Sequence, residues 1–351
     1  MRSTERHWLC FTCILMAWVD IGMSCQVPVF RYALERWTSD QYVVEVSAGD
    51  PASPALDLLK NRSEGQTANF TLSVTGESPA QNEVKLIRPR QPENPIWTGP
   101  FNEATVAAVI DSPTRRQLVK DILSGVSVVW VFLPGKDPAV NETARKALQS
   151  TLDEAKQKIK IPDGVVTHDQ VSEGQFSGDP DDIIDGDIPL KIDFSILEVA
   201  RDDPAEAAFV DMLLSIEDDL HEFTDSPMLF PVFGRGRFLE PLIGRGITRD
   251  TMLSYCVYLC GACACEVKHQ NPGMDLLIAT NWKAADAATV TADTKAAEPK
   301  PETVHFESTK PASTVATTFP TARYSLTALA VVLLLLGSFL LFKRADRKSK
   351  S

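Results

Sequence analysis

The stretch from Ser226 to Cys265 constrains the fold more than any other part of the chain. Its first part, Met228 to Gly244, holds two apolar segments joined by Gly-Arg-Gly, a pattern that predicts two strands connected by a tight turn. Its second part predicts a helix that begins after Thr248 and runs into a dense group of cysteines. This one stretch therefore carries most of the information on the fold and the only candidate chemistry.

The segments before this stretch alternate between strand and helix patterns. Val126 to Leu133 is a continuous apolar run, which is typical of a strand buried on both faces, and Phe194 to Val199 predicts a second strand. Helical spacing of apolar residues marks Asn141 to Ile159 and Pro204 to Phe223. The order predicts an α/β fold with parallel pairing and an antiparallel strand at one side of the sheet. Pro231, inside a predicted strand, indicates an edge position or a bulge.

The region before residue 126 has weaker patterns. β-Branched and aromatic residues predict short strands at Val27–Tyr32, Tyr42–Val46, Asn69–Val74 and Val84–Arg88. A short helical turn is predicted at Ala55–Lys60, and the proline-rich run from Pro89 to Pro100 predicts a loop. Ser112 followed by proline predicts the start of a helix that Gly125 ends.

The order of these elements is similar to that of the thioredoxin-like fold superfamily. Thioredoxins carry a proline before their third strand, a glycine turn between the third and fourth strands, and a glycine before the last helix. Pro227, Gly236 and Gly244 stand in that pattern around MLFPVF and RFLEPLI. The resemblance covers Val126 to Cys265 and implies a mixed sheet flanked by helices. In other respects the chain resembles uncharacterised bacterial envelope proteins.

The resemblance does not extend to the thioredoxin active site. Thioredoxins place Cys-x-x-Cys at the start of their first helix, where the helix N-terminus lowers the pKa of a thiol. Gly135 to Asn141 occupies that place here and contains no cysteine, so ordinary disulfide exchange is not implied. The region before residue 126 invites comparison with a second, decayed unit of the same kind, because SPTRRQLVKDILSG and ITRDTMLSYCVYLCG are similarly placed.

The two ends of the chain predict export and anchoring. A charged start and an apolar run predict a signal peptide at residues 1–24. Ordinary cleavage, an uncleaved anchor and acylation of Cys25 are the three alternatives. Tyr324 to Phe342 has no charged residue and is long enough to span a bilayer as a helix. The basic tail after it predicts a cytoplasmic C-terminus and an extracytoplasmic, periplasmic or cell-surface, body. The predicted segments are 1–24 signal, 25–125 N-terminal α/β region, 126–281 thioredoxin-like domain, 282–323 disordered stalk, 324–342 transmembrane helix and 343–351 tail.

The cysteines offer the candidate chemistry, and three interpretations compete. We define the cysteine cluster as Cys256, Cys260, Cys263 and Cys265. The first interpretation is structural, either as disulfides, with Cys25 as a further partner, or as buried apolar residues. The second is redox exchange through the CGAC sequence at residues 260–263. The third is a zinc or copper(I) site formed by Cys260, Cys263, Cys265 and His269.

No motif in the chain predicts a catalytic residue. Phosphate-binding loops, dinucleotide-binding glycine motifs, the GxSxG serine motif and the HExxH zinc motif are absent from the sequence. A net charge of −12 does not suit a nucleic-acid partner. We therefore expect a membrane-anchored binding or scaffold protein without a cofactor, with a protein partner in the cell envelope. The alternative is a tethered thiol-redox or metal-handling protein that uses the cysteine cluster.

Overall fold

The protein is described as a computed structural model that covers seven stretches of the chain. These stretches are residues 26–47, 53–65, 67–75, 82–91, 93–172, 180–263 and 273–282. All of them belong to one compact unit, Met1–Ala296. No helix within these stretches combines the length and the mean hydropathy that a membrane span requires. The predicted signal peptide, stalk, transmembrane helix and tail lie outside the described residues.

The first sheet is built from the N-terminal region. Its strands are β1 Tyr42–Ser47, β2 Phe70–Val74, β3 Glu83–Ile87 and β4 Pro95–Pro100. They lie in the order β2-β1-β3-β4, with β1 and β2 parallel and the other two pairs antiparallel. The predicted loop over residues 89–100 is therefore wrong at its end, because β4 is a strand. β4 is the last strand of this order among the described residues. Its two prolines, Pro95 and Pro100, stand at its ends, and proline is tolerated in an edge strand.

The second sheet is built from the region that the sequence patterns describe best. Its strands are β5 Val128–Leu133, β8 Phe194–Glu198, β9 Met228–Phe233, β10 Arg237–Phe238 and β11 Leu242–Ile243. They lie in the order β10-β9-β5-β8, and β11 also pairs with β9. β5 and β8 are parallel, whereas β9 is antiparallel to β5, β10 and β11. A mixed α/β architecture with sheets flanked by helices is thereby confirmed.

Pro231 lies in β9, which has neighbours on both sides, so the predicted edge position is wrong. The reason is that the outer neighbour is interrupted. β10 ends at Phe238 and β11 begins at Leu242, and Pro231 lies opposite this gap. Leu239 still donates its N–H to the Pro231 carbonyl at 3.3 Å. Pro231 has no backbone N–H to donate, and it lies where the neighbouring strand is interrupted between β10 and β11, so no ladder hydrogen bond is lost there.

The helices cover both sheets. They are α1 Val29–Glu35, α2 Pro54–Glu64, α3 Glu103–Ile110, α4 Pro113–Leu123, α5 Pro138–Lys158, α6 His168–Ser172, α7 Ala207–Leu214 and α8 Arg249–Cys260. A small parallel pair, β6 Val166–Thr167 and β7 Ile183–Ile184, lies between α5 and β8 in the chain. Three 3₁₀ turns complete the described elements at Pro180–Asp182, Leu220–Phe223 and Gly244–Gly246.

α1 corrects the strand predicted at Val27–Tyr32. Its β-branched and aromatic residues suit a strand by composition, but Pro28 precedes the first helical residue. The helix places Arg31 and Glu35 one turn apart, where they form an ion pair, and Arg31 also donates to the Ile188 carbonyl at 2.6 Å. Tertiary contacts of this kind override local composition.

The core has two parts that lie on opposite faces of β5. Val129, Val131 and Leu133 belong to one cluster, whereas Val128, Trp130 and Phe132 belong to the other, as the two-residue period of a strand requires. The first cluster also contains the buried residues of β1 and β3. The regions before and after residue 126 therefore share a core, and the boundary at 125/126 stays a prediction.

Candidate functional site

α8 carries Cys256 and Cys260, the first two members of the cysteine cluster. Thr248 caps its first turn, since the Thr248 and Thr251 side chains each accept from the other residue's backbone N–H. Its inner face carries Met252, Cys256 and Cys260 into the core. Its outer face carries Ser254, Tyr255 and Tyr258, which line a pocket. The helix thus separates two candidate sites, a buried thiol site and an open pocket.

The thiols of Cys256 and Cys260 are buried among apolar side chains. Both residues are 0% exposed, and neither forms a disulfide. Burial raises the pKa of Cys256 to about 12 and that of Cys260 further, because a thiolate loses its hydration in the core. These two groups are therefore poor nucleophiles and behave as small apolar residues.

Trp130 of β5 lies beside Cys256. Its indole N–H slightly lowers the pKa of that thiol. The approach falls short of a hydrogen bond, and Nε1 has no hydrogen-bond partner in the described part of the chain. This weak contact does not offset the effect of burial on Cys256.

Cys263, the last member of the cysteine cluster that the structure describes, lies beside the start of the first described stretch. Cys263 donates its N–H to the Val27 carbonyl at 2.9 Å, and Ala262 pairs with Pro28. Cys263 is buried. Cys25, Cys265 and His269 lie outside the described residues, so the predicted disulfide to Cys25 and the predicted metal site stay predictions. Within the described stretches, no group of three or more potential metal-ligating side chains is placed to hold an ion.

We predict that Cys256 and Cys260 resist thiol reagents in the native protein. With a pKa of about 12, the thiolate fraction of Cys256 at pH 8 is on the order of 10⁻⁴. Maleimide labelling followed by peptide mass spectrometry should leave both residues unmodified until denaturant is added. A Val257→Cys variant places an exposed thiol on the same helix and should label at once. Native labelling of Cys256 at the rate of this control would contradict the prediction.

The open pocket lies between α8, β10 and the residues that follow α1. Its volume is about 670 Å³, which is in the range of small-molecule sites. Aromatic rings form much of its wall: Trp37, Phe233, Phe238, Tyr255 and Tyr258. Glu217 and Glu240 are exposed lining residues, and Gly273 and Met274 complete one side. Such walls favour a flat apolar ligand.

Arg237 brings a charge into this aromatic pocket. The residue is 5% exposed, and its guanidinium carbon lies 4.5 Å from the centre of the Trp37 ring. Its Nη1 atom is buried without a hydrogen-bond partner among the described residues, and the same holds for Nε1 of Trp37. Gly273 allows this arrangement, because a Cβ at that position would lie 3.1 Å from Nη1. Two residues of the pocket wall, Trp37 and Arg237, therefore each have a buried N–H donor without a partner among the described residues.

The carboxylates near Arg237 have other partners. Asp275 accepts from the Leu277 N–H at 2.8 Å and from the Asn69 side chain at 2.9 Å. Asp40 pairs with Arg90 at 3.0 Å. Both carboxylates raise the pKa of Arg237 through space, whereas burial, the larger effect, lowers it. The guanidinium thus keeps its charge without a direct anionic partner.

The basic residues close together in the sequence are separated in the structure. Arg235 donates to the Leu34 carbonyl, Arg249 pairs with Glu154, and Arg245 is exposed. Only Arg237 of these four lines the pocket. Sequence patterns did not indicate this pocket, because aromatic residues such as Trp37, scattered along the chain, carry no signal for a binding site.

No protein-family model matches this chain, and no curated protein shows significant sequence similarity to it. The assignment of function therefore rests on the geometry of the pocket and of the cysteine cluster.

Proposed function

We propose that this chain is a membrane-anchored extracytoplasmic binding protein, and that the pocket lined by Trp37 and Arg237 is its binding site. The observation that carries the proposal is the guanidinium of Arg237, which lines an open, aromatic-walled pocket and whose Nη1 has no hydrogen-bond partner among the described residues. A guanidinium without a direct anionic partner attracts a ligand that carries a negatively charged acceptor. We assign binding to this pocket and no catalytic step.

For the fold, we propose a thioredoxin-like domain that lacks the usual thiol pair. The order of strands and helices from β5 to α8 and the antiparallel direction of β9 support this assignment. The first sheet supports the interpretation that the region before residue 126 is a second, decayed unit of the same kind. In both sheets the first strand lies between a parallel second strand and an antiparallel third, and the fourth is antiparallel to the third.

For location, we propose that residues 324–342 anchor the body at the outer side of a membrane. The support is the uncharged apolar sequence and the basic tail that follows it. A protein of the same envelope remains the proposed partner of the scaffold role. The thiol-redox or metal-handling alternative has less support, because the raised pKa of Cys256 disfavours a reactive thiolate.

A compound screen on the full chain tests this proposal. The protein is prepared from washed membranes in mild detergent, and its release before detergent is added would contradict the anchor. A diverse set of small molecules is then tested for a rise in the melting temperature. We expect binders whose effect is lost in Ser254→Trp, which fills the pocket from an exposed position on α8.

The matched control is Val257→Trp on the same helix. Val257 is 54% exposed and does not line the pocket, so this variant should respond to ligands as the wild type does. If no compound raises the melting temperature, or if Ser254→Trp responds unchanged, the binding proposal fails.

A further inference from the structure

We propose that the ligand of this pocket is an aromatic monocarboxylate, held through its carboxylate by Arg237. This inference rests on the proposed binding function and adds the chemical class of the ligand. It depends on four features of the described residues: the guanidinium of Arg237, the hydrogen bonds of the nearby acids, the aromatic wall and the acidic rim.

The guanidinium of Arg237 indicates an oxygen acceptor with negative charge. It lines the pocket and lies over the indole ring of Trp37, and its Nη1 has no hydrogen-bond partner among the described residues. A carboxylate has two oxygens and accepts from a guanidinium with good geometry. Asp275 and Asp40 do not fill this role, because their oxygens already accept from other groups.

Gly273 packs against the guanidinium of Arg237. Arg237 lines the pocket, but its Nη1 lies behind the surface, against the Gly273 backbone. Asp40 donates its N–H to the Gly273 carbonyl at 3.0 Å and fixes this strip of chain. The ligand carboxylate therefore contacts the part of the guanidinium that lines the pocket. Burial of this charge strengthens the attraction, because little water screens it.

The wall and the rim restrict the rest of the ligand. Five aromatic side chains line the pocket, and flat rings pack well against them. Glu217 and Glu240 are exposed at the same pocket and repel a ligand with more than one negative charge. A monoanion with an aromatic body packs against the rings and is attracted by Arg237. A phosphate dianion is disfavoured, because its second charge is repelled by Glu217 and Glu240.

The test compares probes that differ in charge or in aromatic character. Isothermal titration of the full chain in detergent uses naphthalene-2-acetate, its neutral amide naphthalene-2-acetamide, the dianion 2-naphthyl phosphate and the non-aromatic octanoate. We expect the acetate to bind at least about tenfold more tightly than the amide, as a charged hydrogen bond predicts. The phosphate and octanoate should bind more weakly than the acetate.

Variants test whether the guanidinium of Arg237 causes the preference for the acetate over the amide. Arg237→Met should reduce the affinity for the acetate to that for the amide, whereas Arg245→Met, which removes an exposed charge nearby in the chain, should not. If Arg237→Met does not fold, Arg237→Lys serves instead. It keeps a positive charge but removes the planar pair of donors, and should weaken the acetate about threefold or more while leaving the amide unchanged.

The outcomes separate this inference from the proposed function. Equal binding of acetate and amide, blocked by Ser254→Trp, would overturn the carboxylate assignment and leave the binding function intact. Binders from the compound screen with no binding of the acetate would do the same. If no compound of any class binds at the pocket, both proposals fail.

Discussion

Replacing Arg115 by methionine is expected to lower the free energy of unfolding by about 3–5 kcal/mol, because it leaves several buried carbonyls without a donor. Arg115 is 1% exposed. Its guanidinium donates to the carbonyls of Ala108 at 2.7 Å, Val109 at 3.0 Å and Leu277 at 3.3 Å. Two of these belong to the last turn of α3, whose carbonyls have no partner within the helix.

The charge of Arg115 is also part of this arrangement. Burial lowers its pKa to about 10, and the neighbouring Asp111 and Glu206 oppose that shift, so the group stays protonated at pH 7. It lies 5.5 Å from the centre of the Phe209 ring. Methionine fills similar space and suits a helix, so the loss measured reports the hydrogen bonds and the charge more than packing.

Denaturant unfolding of the full chain in detergent, followed by tryptophan fluorescence, provides the measurement. The matched control is Arg116→Met, one position along the same helix. Arg116 is exposed and pairs with Asp111 at 3.0 Å, an interaction expected to contribute at most about 1 kcal/mol. Equal losses in the two variants would show that the buried network of Arg115 does not stabilise the fold.

Asp275 is expected to make the protein less stable as the pH rises from 4 to 7. Burial raises the pKa of this carboxyl from 3.8 to about 6, although the Leu277 N–H and the Asn69 side chain act in the opposite direction. Between these two values the folded state holds a proton that the unfolded state has lost. The stabilisation is therefore complete below about pH 4 and is lost as the pH rises through 6, with a total of roughly 3 kcal/mol.

The difference between wild type and Asp275→Asn isolates this contribution. Asparagine keeps an oxygen for the Leu277 N–H but has no titrating group. The stability of the wild type relative to this variant should fall by roughly 3 kcal/mol between pH 4 and pH 7. Asp218→Asn is the control, because this side chain is 98% exposed and should affect stability little at any pH. A pH-independent difference for Asp275→Asn would contradict the prediction.

Hydrophobic period and turn residues predicted most of the second sheet. The apolar run at β5 has all six residues buried, and the helix after Ser112 begins with the predicted side-chain cap, since Ser112 accepts from the Arg115 N–H. These features depend on neighbours in the chain, so local patterns are sufficient to find them. α1 and β4 were missed because contacts with distant residues decide their conformation.

The candidate site was only partly accessible to sequence reasoning. The cysteine cluster is visible as a motif, but the chemistry of its thiols depends on burial, which raises the pKa of Cys256 and of Cys260. Arg237 is visible only as one of four nearby arginines. Its position over Trp37 depends on the packing of α1 against β9 and α8, which no local pattern encodes.

The sequence by itself determined the mixed α/β class, the order of most strands and helices, and the expectation of an anchored extracytoplasmic body. Only the tertiary structure decided which groups face a pocket and which are buried. The reason is that the surroundings of a guanidinium depend on residues far apart in the chain, such as Trp37, Arg237 and Gly273. In the proposed function, the stretch from Ser226 to Cys265 contributes through the outer face of α8 and through β10.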